Sequence, residues 1–344
     1  MALTMVPPPP TPPGPDDERV HAGEPPSGAG EHVPVLADEV LAVLGAAPSG
    51  TYLDLTLGLG GHAALLLDAH PGLRLVGIDR DREALAVAGE RLARFGDRVS
   101  LHHARSDEVA DVVAAEGVDD VTAVLADLGV SSPQIDHARR GFSYRTDRDG
   151  PLDMRMDQSR GRTAAELLAD IDEDTLARAL RELGDEPFAR RIARRIVDDE
   201  PTTTAALAES VRASVPAARR RSGDPAKRVF QALRILVNDE IGTLDRTLDA
   251  VLDLLVPGGR FAVIAFHSVE DRMVKTRFRA AADGACTCPQ GLPCVCGATP
   301  TVRLLQRKAW VATPEEAAAN PRATSARLRA VEALPVLPFD RPTR

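Results

Sequence analysis

Between residues 50 and 130 the chain alternates short apolar runs with amphipathic stretches. The runs Tyr52–Leu57, Leu73–Ile78 and Val121–Ala126 are mostly apolar, and Val99–His103 reads as a third, more polar strand between the last two. That pattern fits parallel strands covered on both faces better than the alternating pattern of half-exposed strands. Between them, His62–Asp68, Glu83–Phe95 and Asp107–Glu116 read as helices, with Leu85, Ala88 and Leu92 on one face of the second. The alternation stops after Gln134. A polar, arginine-rich stretch, Arg139–Asp157, leads into four helical segments at Thr163–Leu168, Glu173–Leu183, Pro187–Asp198 and Thr204–Ser214. Helical spacing continues through Lys227–Glu240 and Ile241–Leu255. Phe261–Phe266 is the fifth strand, and Val302–Gln306 and Arg327–Glu332 are candidates for a final pair. The expected fold class is α/β: a doubly wound, Rossmann-like sheet interrupted by an inserted all-helical domain. The boundaries read as 32–134 and 226–334 for the sheet domain and 135–225 for the insert.

The first turn of this pattern carries the chemistry. Gly58, Gly60 and Gly61 follow the first strand, and His62 opens the next helix. A helix N-terminus presents unpaired N–H groups, and glycines let a ligand approach the backbone closely. Asp79, at the end of the second strand, stands about 20 residues after the first glycine, where an acid suits ribose hydroxyls. Gly58-x-Gly60-x-x-Ala63 also meets the dinucleotide fingerprint. Three features turn the reading from NAD toward S-adenosylmethionine. Asp54 gives the D-x-x-x-G-x-G pattern of methyltransferases, the fourth strand ends in Asp127, and Pro257-Gly-Gly259 introduces the fifth. Ser106 lies at the exit of the third strand, where such folds hold the adenine edge. Ligands sit at the carboxyl ends of strands in open α/β sheets. Gly58–His62, Asp79, Ser106 and Asp127 all fall there.

Composition limits the alternatives. A chain of 344 residues with 44% hydrophobic content can bury a large core. Its net charge of −9 excludes a uniformly basic nucleic-acid binder, though not a local patch. Residues 139–234 are mildly basic, and Arg190, Arg191, Arg194 and Arg195 cluster at helical spacing; a solvated charged face is the competing reading. No apolar run is long enough for a membrane span, and no signal peptide is evident, so a cytoplasmic protein with no membrane partner is expected. Residues 1–31, rich in proline, read as a disordered tail.

Six separated motifs then make a specific resemblance. They are Asp127-Leu-Gly-Val-Ser-Ser-Pro-Gln134, Gly141-Phe-Ser-Tyr144, Gly150-Pro-Leu-Asp-Met-Arg-Met-Asp157, Phe230-Gln-Ala-Leu-Arg-Ile235, Phe266-His-Ser-Val-Glu-Asp-Arg272 and Asn320-Pro-Arg-Ala323. In this order they resemble the bacterial small-subunit (16S) ribosomal RNA (cytosine-N4)-methyltransferase H family, from about His32 to Glu332. The resemblance implies S-adenosylmethionine as cofactor and the small ribosomal subunit with its 16S rRNA as partner. It implies methyl transfer to the exocyclic amine of a cytidine in the decoding region. Cofactor contacts carry over to Gly60, Gly61, His62, Asp79, Asp127 and Gln134. The family often has a bulky residue near the third strand's exit; Ser106 stands there in this chain. An NAD-linked oxidoreductase and a non-catalytic RNA-binding assembly factor are the competing readings.

A cytosine amine is a poor nucleophile, because its lone pair is delocalised into the ring. Transfer needs in-line approach and an acceptor for the amine hydrogens. Asp127 is the one acid the pattern places there, which makes it the catalytic candidate. Asp127-Leu-Gly-Val130 lacks the aromatic residue that many amino-methyltransferases use to stack the base; Tyr144 or Phe142 are candidates, with a core role equally open for Phe142. Ser268, with Asp271 three residues on, reads as a helix cap, leaving His267 for the crevice. Cys286, Cys288, Cys294 and Cys296 form C-x-C…C-x-C. Four thiolates that close can hold zinc, but the usual spacing is C-x-x-C, and reduced thiols or a redox pair fit as well. No metal ligand is assigned from sequence.

Overall fold

The computed structural model describes residues 34–220, 223–289 and 295–335. The tail, residues 1–31, lies outside them. In chain order the elements are α1 (Ala37–Leu44), β1 (Gly50–Asp54), α2 (Gly61–Ala69), β2 (Leu73–Asp79), α3 (Arg82–Leu92), β3 (Val99–His103), α4 (Val109–Glu116) and β4 (Val121–Asp127). Then come α5 (Ser132–Asp136), α6 (Ala164–Asp170), α7 (Glu173–Gly184), α8 (Ala189–Asp199), α9 (Thr204–Ser214), α10 (Ala217–Arg220), α11 (Ala226–Val237) and α12 (Glu240–Leu254). The chain closes with β5 (Leu255–Ala265), α13 (Ser268–Ala282), β6 (Val302–Leu304), α14 (Pro314–Ala319) and β7 (Arg327–Ala333).

The seven strands among the described residues form one sheet in the order β3-β2-β1-β4-β5-β7-β6. β1 to β5 run parallel, and β7 is antiparallel to both β5 and β6. Successive side chains on a strand point to opposite faces. Tyr52, Ala123, Leu125 and Ile264 therefore pack against α1, α2 and α3, beside Leu44, Leu66 and Ala88. Leu53, Val76, Val124 and Val263 face the other way, against α4, α12 and α13, where Phe261 meets Phe278 edge-to-face at 5.3 Å. Two covered faces are the reason these strands have continuous apolar sequences.

A third apolar cluster stands apart from the sheet. It joins Phe142, Leu152 and Met154 with Leu176, Leu180, Ile192, Ile196 and Leu207. It also takes in Val229, Phe230 and Leu233 of α11, so this helix faces the helical layer, although the sequence divides the domains at residue 226.

Two local expectations are corrected. Pro257-Gly-Gly259 lies inside β5, not ahead of it; Val121 pairs with Leu255 and Ala123 with Arg260, so residues 256–259 bulge out of β5 opposite the single Thr122. The cap of α13 is His267, not Ser268. His267 Nδ1 accepts from the Glu270 N–H at 3.4 Å, and Glu270 accepts from the Phe266 and His267 N–H groups. Both candidates can cap; Glu270 fits the enclosed side of the helix, whereas Asp271 turns to pair with Arg329 at 2.7 Å.

The layers meet at Asp81, which is 5% exposed. Its Oδ1 caps α3 by accepting from the Glu83 N–H. Its Oδ2 accepts from Gln134 Nε2 at 2.9 Å and from Arg140 Nη1 at 2.8 Å. Arg140 Nη2 also donates to the carbonyls of Arg155 and Met156. The Arg140 side chain is 1% exposed, while that of Arg139 is 55% exposed and pairs with Glu83. Breaking a buried pair strands its partner charge. Arg140→Ala is expected to lower unfolding free energy by about 3–5 kcal/mol in urea titration. A loss below about 1 kcal/mol would equate it with a surface pair.

Candidate active site

Strand order reverses between β1 and β4, so the crevice opens at their carboxyl ends. Four strand ends carry the groups that face it. β1 ends in Asp54, β2 in Asp79, β4 in Asp127, and β5 leads through Phe266 and His267 to Glu270.

The glycine turn lies between the first two acids. Gly58 and Gly60 have φ of +53° and +73°, in the left-handed region that L side chains rarely adopt. Gly61 is needed for a different reason: a Cβ there would meet Pro34 Cγ at 2.8 Å. Asp79 holds the turn in place. Its Oδ2 accepts from the Gly58 N–H at 2.7 Å and its Oδ1 from the Asp81 N–H at 2.8 Å. Burial raises the Asp79 carboxyl above its ordinary range, against those two hydrogen bonds.

Asp54 is 2% exposed. It accepts from the Tyr52 hydroxyl at 2.8 Å and from the Thr56 N–H at 3.3 Å. Burial still pushes its carboxyl up to about 7, and the charge on Asp79 adds to this. Asp127 goes further, to about 8, because of burial first and then the charges of Asp54 and Glu270. Glu270 itself is held below its usual range. Burial opposes its ionisation, but the hydrogen bond and charge of His267, with Arg234 and the Phe266 N–H, outweigh that.

Asp127 is divided between two environments. Its backbone N–H donates to Thr56 Oγ1 at 2.6 Å, which fixes the end of β4 against the turn after β1. Of its side chain, 28% remains exposed, yet Oδ1 is buried and has no hydrogen-bond partner. Oδ2 lies 3.7 Å from His62 Nδ1. The other nitrogen of His62, Nε2, lies 2.9 Å from the Val35 carbonyl and donates to it. A buried carboxylate oxygen without a partner calls for a ligand donor or cation.

The remaining predicted residues fall into two groups. Gly60, Gly61, His62, Asp79 and Asp127 converge on the crevice. Gln134 is 4% exposed and its amide is engaged within the protein, with Nε2 on Asp81 and Oε1 on the Ser131 N–H. Ser106 Oγ accepts from Thr247 Oγ1 at 3.0 Å, which ties the exit of β3 to α12. The aromatic candidates are in the helical core: Phe142 is buried there, and Tyr144 packs edge-to-face on Phe230 at 5.9 Å. Arg140 and Asp81 were not singled out in the sequence, where Arg140 is one of several arginines in a polar stretch.

S-adenosylmethionine carries a sulfonium cation, ribose hydroxyls and a carboxylate, and the donor set here fits all three. The orphaned Asp127 oxygen and raised Asp54 suit a cation, Asp79 suits hydroxyls, and the N-terminus of α2 suits an anion. A dinucleotide-binding sheet has the order 3-2-1-4-5-6. Here β7 enters antiparallel between β5 and β6, and the third acid stands at the switch point. The protein is an S-adenosylmethionine-dependent methyltransferase.

It belongs to the MraW methylase family, whose model matches residues 29–334. It is 50% identical over 307 residues to the ribosomal RNA small subunit methyltransferase H of Symbiobacterium thermophilum, covering 87% of this chain and 96% of that protein. It is 52% identical over 311 residues to the protein of the same name from Anaeromyxobacter sp. (strain K), covering 88% and 98%.

The raised Asp127 carboxyl has a thermodynamic consequence. The folded state keeps the proton to about pH 8, whereas an unfolded Asp loses it near pH 4. The unfolded state therefore binds fewer protons between these values, and stability falls as pH rises through that window. Asp127→Asn removes the effect. Its stability relative to the parent is expected to increase by about 1–3 kcal/mol from pH 5 to pH 8, allowing for solvent screening. A constant difference across that range in thermal melts would contradict the raised value.

Proposed function

We infer that the protein transfers a methyl group from S-adenosylmethionine to the N4 amine of a cytidine in the decoding region of 16S rRNA, within the small ribosomal subunit. Family membership supplies the class of reaction. The observation that carries the site assignment is Asp127: a carboxyl at the switch point with one buried oxygen lacking a partner.

The cofactor supplies a methyl group made electrophilic by a positively charged sulfur. The protein's part is to hold a weak nucleophile in line with it and to receive a proton. The turn at Gly58–Gly61 and the Asp79 carboxylate hold the cofactor's ends. Burial pushes the Asp127 carboxyl up to about 8, and a nearby cation favours its ionised form. The carboxylate then accepts a hydrogen bond from the amine, which turns the nitrogen lone pair out of conjugation and toward the methyl group. As N–C forms and C–S breaks, the nitrogen becomes cationic and gives up one proton, to Asp127 or to water beside it. His62, anchored on Val35, stands beside Asp127 with its Nδ1 3.7 Å from Oδ2.

The helical layer over residues 135–225 is the proposed recognition domain. The arginines of α8 are not all available to phosphates. Arg190 pairs with Asp174, Arg194 with Glu173 and Arg195 with Asp199, while Arg191 has no ion pair among the described residues. Exposed pairs of this kind are worth only about 0–1 kcal/mol, so a phosphate can displace the acid. No helix among the described residues is long and apolar enough to cross a membrane. A substrate within ribosomal subunits supports a cytoplasmic location.

Two outcomes test this reading. Incubation with labelled S-adenosylmethionine and unmodified small subunits should give N4-methylcytidine on nucleoside analysis. Asp127→Asn should lower kcat by about 10²–10⁴-fold, measured with S-adenosylmethionine at saturation. Label in a different nucleoside would overturn the substrate assignment, and an unaltered kcat would remove Asp127 from the chemistry.

A further test concerns charge. A cation binds better to ionised acids, so affinity for S-adenosylmethionine should rise from pH 6 to pH 9, across the values of about 7 and about 8 for Asp54 and Asp127. The gain should approach tenfold per pH unit per acid at most. Neutral S-adenosylhomocysteine should show a much smaller slope by calorimetry. Equal slopes for the two would show that the acids do not face the sulfur.

A further inference from the structure

The cysteine segment lies away from the crevice, and the methyl-transfer chemistry does not use it. It begins where α13 ends. The Ala285 N–H donates to the Ala280 carbonyl at 2.7 Å, and the Thr301 N–H to the Ala281 carbonyl at 3.1 Å. Gly284 lies so close to Thr299 that a Cβ would meet its backbone at 2.6 Å. The chain therefore leaves and returns at one point, closing a loop over residues 284–300.

The described residues of this loop have no apolar reason to adopt a defined shape. Among its described residues none is buried, and Val295 is 88% exposed. Closing and ordering such a segment loses conformational entropy that burial does not offset. Yet three sulfur atoms from both arms converge. The Sγ atoms of Cys286, Cys288 and Cys296 all lie within 4.8 Å of one another, and those of Cys286 and Cys296 are 3.6 Å apart. Zn–S bonds of about 2.3 Å place the sulfurs of a tetrahedral site about 3.8 Å apart. The Val295 N–H donates to Cys288 Sγ at 3.3 Å, the kind of second contact that orients a thiolate ligand. Gly297, directly after Cys296, has φ of +70° and turns the chain back toward α13.

We propose that Cys286, Cys288 and Cys296 form a thiolate site for one zinc ion, which folds the 284–300 loop onto the end of α13. Soft sulfur donors in tetrahedral array select zinc over magnesium or calcium. The fourth ligand is not assigned; Cys294 lies outside the described residues. The metal replaces thiol protons, so binding strengthens as pH rises. Cys286 also borders a cavity of about 440 Å³ whose other lining includes Arg272, Lys275 and Arg279, side chains on one face of α13. The site fixes one wall of that basic cleft.

The test uses the full chain, purified under reducing conditions and loaded with Zn²⁺ alone. Elemental analysis after desalting should find about one zinc per chain. The triple variant Cys286→Ser, Cys288→Ser and Cys296→Ser should lose it while retaining S-adenosylmethionine affinity. Co²⁺ in place of zinc should give thiolate-to-cobalt charge-transfer absorption, absent from the variant. Chelation of the parent protein should open the 284–300 loop to proteolysis, with cleavage suppressed when Zn²⁺ is returned. Should the triple variant fail to fold, the cobalt spectrum and the chelation experiment on the parent decide. Substoichiometric zinc, zinc retained by a folded triple variant, or a disulfide among these residues with no metal under reducing conditions would overturn the proposal.

Discussion

Much of this molecule hangs on a single carboxylate. Asp81 caps the helix behind the second strand, holds Gln134 after the fourth, and receives Arg140 from the chain as it enters the helical layer. Each partner comes from a different part of the sequence. A buried ion pair adds little net stability over a well-packed apolar contact, but it is directional. That directionality is what the arrangement needs. The segment after Asp127 has to leave the sheet without disturbing the strand end it has just completed, and Asp81 fixes its path within a few residues.

The crevice itself depends on a contrary principle. Several acids elsewhere are paired, as with Asp271 and Arg329 or Glu332 and Arg260. At the switch point Asp54 and Asp127 have no arginine or lysine ion pair among the described residues, and Glu270 adds charge from the first turn of α13. Burial pushes the Asp54 and Asp127 carboxyls up to about 7 and about 8, which favours their neutral forms beside the ionised Glu270. The fold stores electrostatic complementarity to a cation, at the expense of stability at alkaline pH.

The centre of the sheet was legible because β1, β2, β4 and most of β5 are buried on both faces and appear as apolar runs, whereas β3, Val-Ser-Leu-His-His, and the alternating β7 are partly exposed. Glycines 58, 60 and 61 and the terminal acids were legible because turn chemistry is local. What escaped the sequence was set by tertiary context. Arg139 and Arg140 are neighbours of identical type, and only the position of Asp81 decides which is buried. Ser268 and His267 both suit a cap, and the enclosure of Glu270 chose between them. The amphipathic pattern of α11 shows that one face is apolar; it does not show that the face meets Leu176 and Ile192, in place of the sheet. Gln134 reads as a crevice residue by motif, but its hydrogen bonds run to Ser131 and Asp81.

The route of the chain also bears on how the protein reaches its native state. β4 ends at Asp127, and its parallel neighbour β5 begins only at Leu255. A flexible connection of that length makes their encounter entropically unfavourable, by about 0.6 kcal/mol for each doubling, and parallel pairing at long range is slow. The helical cluster between them is made mostly of contacts close in sequence. Its early collapse would draw the two ends of the connection together, so the segment that separates the strands on paper would act during folding as the bracket that returns β5 to β4.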